Sequence, residues 1–183
     1  MHSNALAIFD KYAMPHLKPG MRVLEVGIGK RYWLSPYRKM AADMKWDFHF
    51  CDAGNFGDHE PDFIRQSREY QIDCEPVSFD AVISQQTIEH VRNPFKFMME
   101  LASKVKNGGI LAVVCPVSWE RHRNPIDAWR LLPDGMRAAL DAPGVFDAIA
   151  IKMESLAGTE AEKACQFHKG GDVYDTIGVW RRK

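Results

Sequence analysis

The chain predicts an α/β fold, with helices packed on a mostly parallel β-sheet, and three observations carry that prediction. The run MRVLEV (21–26) breaks abruptly into Gly27 and Gly29, as a buried strand ending in a tight loop does. Two more apolar runs of strand length follow, FDAVIS (79–84) and GILAVVC (109–115), the second with the near-continuous hydrophobicity of a strand covered on both faces. Helical segments alternate with these runs, opened by Ser35-Pro36 and Asn93-Pro94, where a capping side chain precedes a proline suited to the first turn.

In chain order, 4–13 reads as a short amphipathic helix, 21–26 as a strand and 36–44 as a helix. The strand WDFHFC (46–51) then ends at Asp52. The polar stretch 54–76 offers a short helix after Pro61 and a short strand at 70–72. A strand follows at 79–84, then a helix from Pro94 that Lys104, Lys106 and Gly108 close through favourable charge and C-terminal geometry. After the strand at 109–115 come a helix at 133–140 and strand-like stretches at 146–153 and 176–180. A length of 183 residues suits one domain, with an N-terminal helical segment at 1–16 and a core at 17–183. Ligands are expected at the carboxyl ends of the strands.

Composition narrows the function. The chain is 46% hydrophobic and 26% charged, which is ordinary for a folded soluble domain. Lys plus Arg and Asp plus Glu number 24 each, so no global field gathers nucleic acid or an acidic membrane. No apolar run approaches the ~20 residues of a membrane helix. ALAIF (5–9) meets Asp10 and Lys11 too soon for a signal peptide, so the expected location is cytoplasmic. The cysteines at 51, 74, 115 and 165 form no C-x-x-C pair and are expected to be reduced. His49, Cys51, Asp52 and His59 show no recurrent ligand spacing, so no metal is expected.

The segment VLEVGIGKRYW (23–33) sets an acid at a strand end directly before two glycines. A nicotinamide-binding G-x-G-x-x-G would need glycine at Tyr32 and puts no acid ahead of its first glycine. The motifs LEVGIG, Asp52 after the second strand, SFDAVISQQTIEHV (78–91) and NPFKFMMELASKVKNGGILAVVCP (93–116) occur in order. Together they resemble the class I S-adenosylmethionine-dependent methyltransferases from about residue 17 to 180. That resemblance implies a Rossmann-like sheet of seven strands, mostly parallel, flanked by helices and carrying an antiparallel C-terminal strand. It also implies S-adenosyl-L-methionine as cofactor, with Glu25 facing its amino group, Gly27 and Gly29 cradling its amino-acid portion, Asp52 on the ribose and Gln85 nearby. The family's third glycine is replaced here by Arg31, and Glu69, Asp73 and Glu75 all stand as candidates for the adenine contact.

Each residue has a plainer reading. Glu25 could cap a helix, and Asp52 in Asp-Ala-Gly could simply make a turn. His90 and His122 are candidate general bases, and each could equally be a hydrogen-bonded structural histidine. The long connection 116–133 carries Trp119, Arg121, Trp129 and Arg130 and reads as a substrate wall or lid. Its alternative is a cover over the sheet with Trp129 in the core. The segment 122–140 is similar to one found in small methyltransferases of sugar and natural-product pathways. The expected activity is methyl transfer to a hydroxyl, less readily an amine, of a small metabolite or sugar-like acceptor. The alternative is a non-catalytic binding or regulatory protein of the same fold. Methylation of DNA bases or protein amides would call for an Asn or Asp-Pro-Pro-aromatic motif where this chain reads SQQTIEH. The expected partners are a small acceptor and a second copy of the chain, not nucleic acid or membrane.

Overall fold

The computed structural model describes residues 3–30, 32–54, 59–123, 125–140, 144–155 and 173–183. Arg31 and Cys165 lie outside them. The described elements are α1 (Ser3–Tyr12), β1 (Arg22–Val26), α2 (Pro36–Met44), β2 (Asp47–Cys51), β3 (Gln66–Arg68), β4 (Gln71–Ile72), β5 (Phe79–Gln85), α3 (Pro94–Lys104), β6 (Val105–Pro116), α4 (Pro133–Ala139), β7 (Phe146–Glu154) and β8 (Asp175–Arg182). Short 3₁₀ turns sit at Met14–His16, Tyr32–Leu34 and Ile88–His90.

The main sheet runs β2-β1-β5-β6-β8-β7. Neighbours from β2 to β6 pair in parallel, and β8 is antiparallel to both β6 and β7. Alternation along β6 explains its unbroken apolar run. Leu111, Val113 and Cys115 enter a core shared with α3 and α4, while Ile110, Ala112 and Val114 enter one shared with α1 and α2. Both faces are therefore dry, and the parallel strands need no polar side.

The helix starts follow their capping chemistry. Ser35 Oγ accepts from Tyr37 N at the start of α2, and Asn93 Oδ1 accepts from Lys96 N at the start of α3.

Three expectations are corrected. The sheet has six strands among the described residues, not seven. Where the seventh would pair with β2, only a bridge between Phe50 and Phe63 forms, held by Phe50 N donating to Asp62 O and Ile64 N to Phe50 O. Pro61 brings no amide hydrogen, and after Ile64 the chain turns into the separate β3–β4 pair, so the ladder stops at one rung. The same pairing replaces the helix expected after Pro61. Finally, α3 is not closed at Gly108. It ends at Lys104 and passes straight into β6, because the Lys104 ammonium turns inward and donates to Ile72 O (3.0 Å) and Cys74 O (2.9 Å).

Candidate active site

The carboxyl ends of β1, β2 and β5 meet at one place. Glu25 is 7% exposed, and its Oε2 accepts from Ser35 Oγ at 2.7 Å, so the serine that caps α2 also fixes the acid at the end of β1. Burial raises the Glu25 carboxyl to about 7, with the Ser35 bond and the Arg38 charge opposing. Gly27 and Gly29 both take positive φ, +86° and +73°. Their surroundings differ. A Cβ on Gly27 would sit 2.2 Å from Thr87 Oγ1, whereas one on Gly29 would meet nothing within 4 Å. The first glycine lets the loop pack on the segment after β5, and the second leaves space above its backbone.

Asp52 ties the loop to β2. Its Oδ2 accepts from Gly29 N (2.9 Å) and its Oδ1 from Gly54 N (2.8 Å). The turn role is thus present, and each oxygen retains a lone pair for a further donor. Gln85 ends β5 at 8% exposure, with neither Nε2 nor Oε1 hydrogen-bonded. A buried amide with no partner is uncommon and calls for a polar group to meet it. Thr87 Oγ1, 3.0 Å from Gln85 O and 3.3 Å from Gly27 O, joins this strand end to the glycine loop.

Beyond Thr87 the turn Ile88–His90 meets the connection after β6. Ala128 N donates to Glu89 O, Trp129 Nε1 donates to Val91 O at 2.8 Å, and His90 Nδ1 lies 2.5 Å from Ile126 O. A carbonyl only accepts, so His90 carries its hydrogen on Nδ1 and leaves the Nε2 lone pair unused in that bond. Burial lowers the His90 pKa, which favours the neutral ring. The His90 and His122 rings stand edge to face, 4.9 Å apart. Glu89, one of the most deeply buried acids, has both carboxylate oxygens without a hydrogen bond, and burial lifts it to about 8.

The structure sets Glu25, Gly27, Gly29, Asp52 and Gln85 at the carboxyl ends of β1, β2 and β5, and brings His90 and His122 together beside the turn after β5. The expected wall of 116–133 divides. Arg130 is committed to Asp127 by a bidentate pair that holds the Asp127 carboxyl at about 2, and it also donates to the carbonyls of Trp129 and Trp119. Trp129 packs on the main core, so the cover reading describes it best. Trp119 is half-buried, while Arg121 and Arg123 are exposed. Of the adenine candidates, Glu69 pairs with Arg92 and Asp73 Oδ1 accepts from Ser67 Oγ, while Glu75 is exposed. Among the cysteines, Cys51 and Cys115 are buried free thiols and Cys74 is a partly buried one. Glu89 was not among the expected site residues. Its signal was an acid set between Ile88 and the His90-Val91 pair in a stretch otherwise apolar enough to be buried.

The two raised acids have a pH consequence. An acid whose folded value lies above its ordinary value of about 4.5 contributes stability that is complete below that value and is lost as pH rises toward the folded value. Ligand-free protein is therefore expected to lose on the order of 1–3 kcal/mol between about pH 5 and 8, and a Glu89→Gln variant should show a flatter dependence. Urea unfolding across that range checks it. Parallel curves for the two proteins would remove Glu89 as the source.

The sheet order, the glycine loop after β1 and the acid after β2 define the fold of the class I S-adenosylmethionine-dependent methyltransferases. A family model described as "Methyltransferase domain" matches residues 3–142, and the chain belongs to that family. It is 26% identical over 113 residues to the ubiquinone biosynthesis O-methyltransferase of Maricaulis maris, covering 57% of this chain and 44% of that protein. The fold is similar to a SAM-dependent methyltransferase from Methanosarcina mazei, with TM-score 0.65, 14% identity and 96% of each chain covered. It is also similar to Haemonchus contortus phosphoethanolamine N-methyltransferase 2, solved with phosphomonomethylethanolamine and S-adenosylhomocysteine. There the TM-score is 0.65 at 14% identity, covering 97% of this chain and 52% of that one. The chain thus spans about half the length of the Maricaulis and Haemonchus proteins. No helix among the described residues is long and apolar enough to cross a membrane.

Proposed function

We propose that the chain, acting as one methyltransferase-like unit, transfers a methyl group from S-adenosyl-L-methionine to a hydroxyl of a small acceptor. The observation that carries this reading is the unpartnered, buried Gln85 amide, set beside a glycine loop with open space at Gly29 and with acids at the ends of β1 and β2. These groups fit a ligand that is itself polar along its length. Glu25 would answer an ammonium group, directly or through water, the backbone at Gly29 would lie along the amino-acid portion, and Asp52 would accept from ribose hydroxyls. When bound, S-adenosylmethionine supplies an electrophilic methyl on a sulfonium, and the chain's contribution is chiefly positioning. A hydroxyl must lose its proton, and the neutral His90 ring is suited to take it at Nε2, with His122 beside it. An amine arrives with a free lone pair and has less need of that pair of rings. The O-methyltransferase among the relatives agrees with a hydroxyl acceptor, and the N-methyltransferase stands for the other choice.

Asp52→Ala should weaken binding of S-adenosylhomocysteine about ten- to a hundredfold in a folded protein, measured by calorimetry. Unchanged affinity would leave Asp52 with the turn alone. Absence of heat from the wild type at millimolar S-adenosylhomocysteine, with binding of NADH, would overturn the cofactor reading itself. Protein that binds the cofactor but methylates nothing in an acceptor screen would fit the non-catalytic alternative.

With Trp129 and Arg130 held internally, acceptor contacts fall to Trp119, His122 and the exposed Arg121 and Arg123. Once an acceptor is found, the Arg121→Ala, Arg123→Ala double variant should raise its KM about tenfold while cofactor affinity stays within twofold. Equal acceptor kinetics would place both guanidinium groups in solvent.

A further inference from the structure

We infer that Glu89, His90 and His122 form a binding site for one divalent transition-metal ion, of the zinc or cobalt type. One ligand atom from each residue lies within 4.8 Å of the other two, although the three come from a turn after β5 and from the connection after β6. Two imidazoles and a carboxylate are the donor set such ions prefer, and three protein ligands leave a coordination position for a further group.

Two independent features point to an ion. The first is Glu89, fully buried, with neither carboxylate oxygen accepting a hydrogen bond. Its Oε1 lies 3.6 Å from His90 Nε2, close to the ~3.4 Å that separates two ligands of a tetrahedral ion. A cation between them would give the buried carboxylate the partner that no hydrogen bond supplies.

The second feature is the orientation of both rings. His90 Nδ1 is engaged by Ile126 O, and His122 Nδ1 lies 3.1 Å from Glu120 O and 3.5 Å from Asp127 Oδ2. Each imidazole therefore donates from Nδ1 to a backbone carbonyl and presents Nε2. Metal-binding histidines are oriented in this way, by an acceptor behind the ring. Asp127 is in turn fixed by Arg130 and accepts from His122 N at 2.8 Å, so the support behind His122 is anchored twice. The His122 side chain is 38% exposed, so of the three ligands its ring is the one least confined by packing.

An ion here would occupy the nitrogens that otherwise take up a proton, and would bind the acceptor's oxygen at its open position. That consequence rests on the methyl-transfer reading, but the ion site does not, and the two are tested apart.

Protein stripped with EDTA is titrated by calorimetry with Zn2+ and with Mg2+, and with Co2+ by visible absorption. The expected result is one equivalent of Zn2+ bound, no heat from Mg2+, and Co2+ bands that saturate at one equivalent. Glu89→Gln and His122→Ala should each weaken Zn2+ binding at least tenfold, and His49→Ala should leave it unchanged. His122 is partly exposed, so its variant keeps the test alive if the Glu89 variant does not fold. Zn2+ affinity unchanged in a folded His122→Ala, loss in His49→Ala instead, or no binding below millimolar Zn2+ would each overturn the site. S-adenosylhomocysteine binding measured on the same stripped samples reports on the cofactor reading separately.

Discussion

His90→Ala is expected to lose about 10²–10⁴ in turnover while S-adenosylhomocysteine affinity stays within twofold. The ring is buried enough to favour its neutral form, and its Nδ1 hydrogen is spoken for by Ile126 O, so one nitrogen is oriented and available. A bond between the turn and the connection would vanish in the same variant, and His90→Gln separates the two effects. Glutamine can still donate toward Ile126 but cannot accept a proton at neutral pH. Turnover restored by Gln would make His90 a positioning residue. Turnover within threefold of wild type in both variants would remove it from the reaction. The loss is expected with or without an ion at the Glu89 corner, since the ring serves both forms.

Lys104→Met should destabilise the protein by about 3–5 kcal/mol. The ammonium lies 3.3 Å from Glu100 and donates to the carbonyls of Ile72 and Cys74, with its side chain 8% exposed. Glu100 Oε1 accepts in addition from Ile72 N at 2.7 Å. One lysine thus binds the β4 pair to α3, and its loss strands two carbonyls and a carboxylate in a dry setting. Urea unfolding measures the cost. The double variant Lys104→Met, Glu100→Gln should recover part of it, because no uncompensated charge then remains. A loss under ~1 kcal/mol would mean that water reaches the pair and screens it.

Those two residues show how far the sequence could be read. The strand at 109–115, both proline-led helices and the acid-glycine loop follow from local pattern, because capping and period act over a few residues. Lys104 looked like a helix-ending charge at the surface, since pattern does not tell which way a long side chain turns. The missing strand beside β2 was equally hidden: Phe63 and Ile64 are the right residue types, and only the tertiary path limits them to one bridge. At the site, Glu25, the glycines and Asp52 were legible from order along the chain. The fold-back of the connection, which takes Trp129 Nε1 to Val91 O and Arg130 to Asp127, is not legible there, nor is the burial of Glu89 between Ile88 and His90. What sequence lacks is the tertiary partner, Ile72 and Cys74 for Lys104 and Val91 for Trp129.

The strand order carries a consequence for biogenesis. β7 precedes β8 in synthesis yet sits outside it, and among the described residues it pairs with β8 alone. A nascent chain that has emerged only as far as β7 therefore holds a strand with no ladder to join, while β6 offers an open edge. Both wait for residues 175–182 to slot between them, so this half of the sheet closes only after β8 has been made. Chains stalled or clipped before that point would expose two hydrogen-bonding edges at once, the condition under which chaperone capture competes with aggregation.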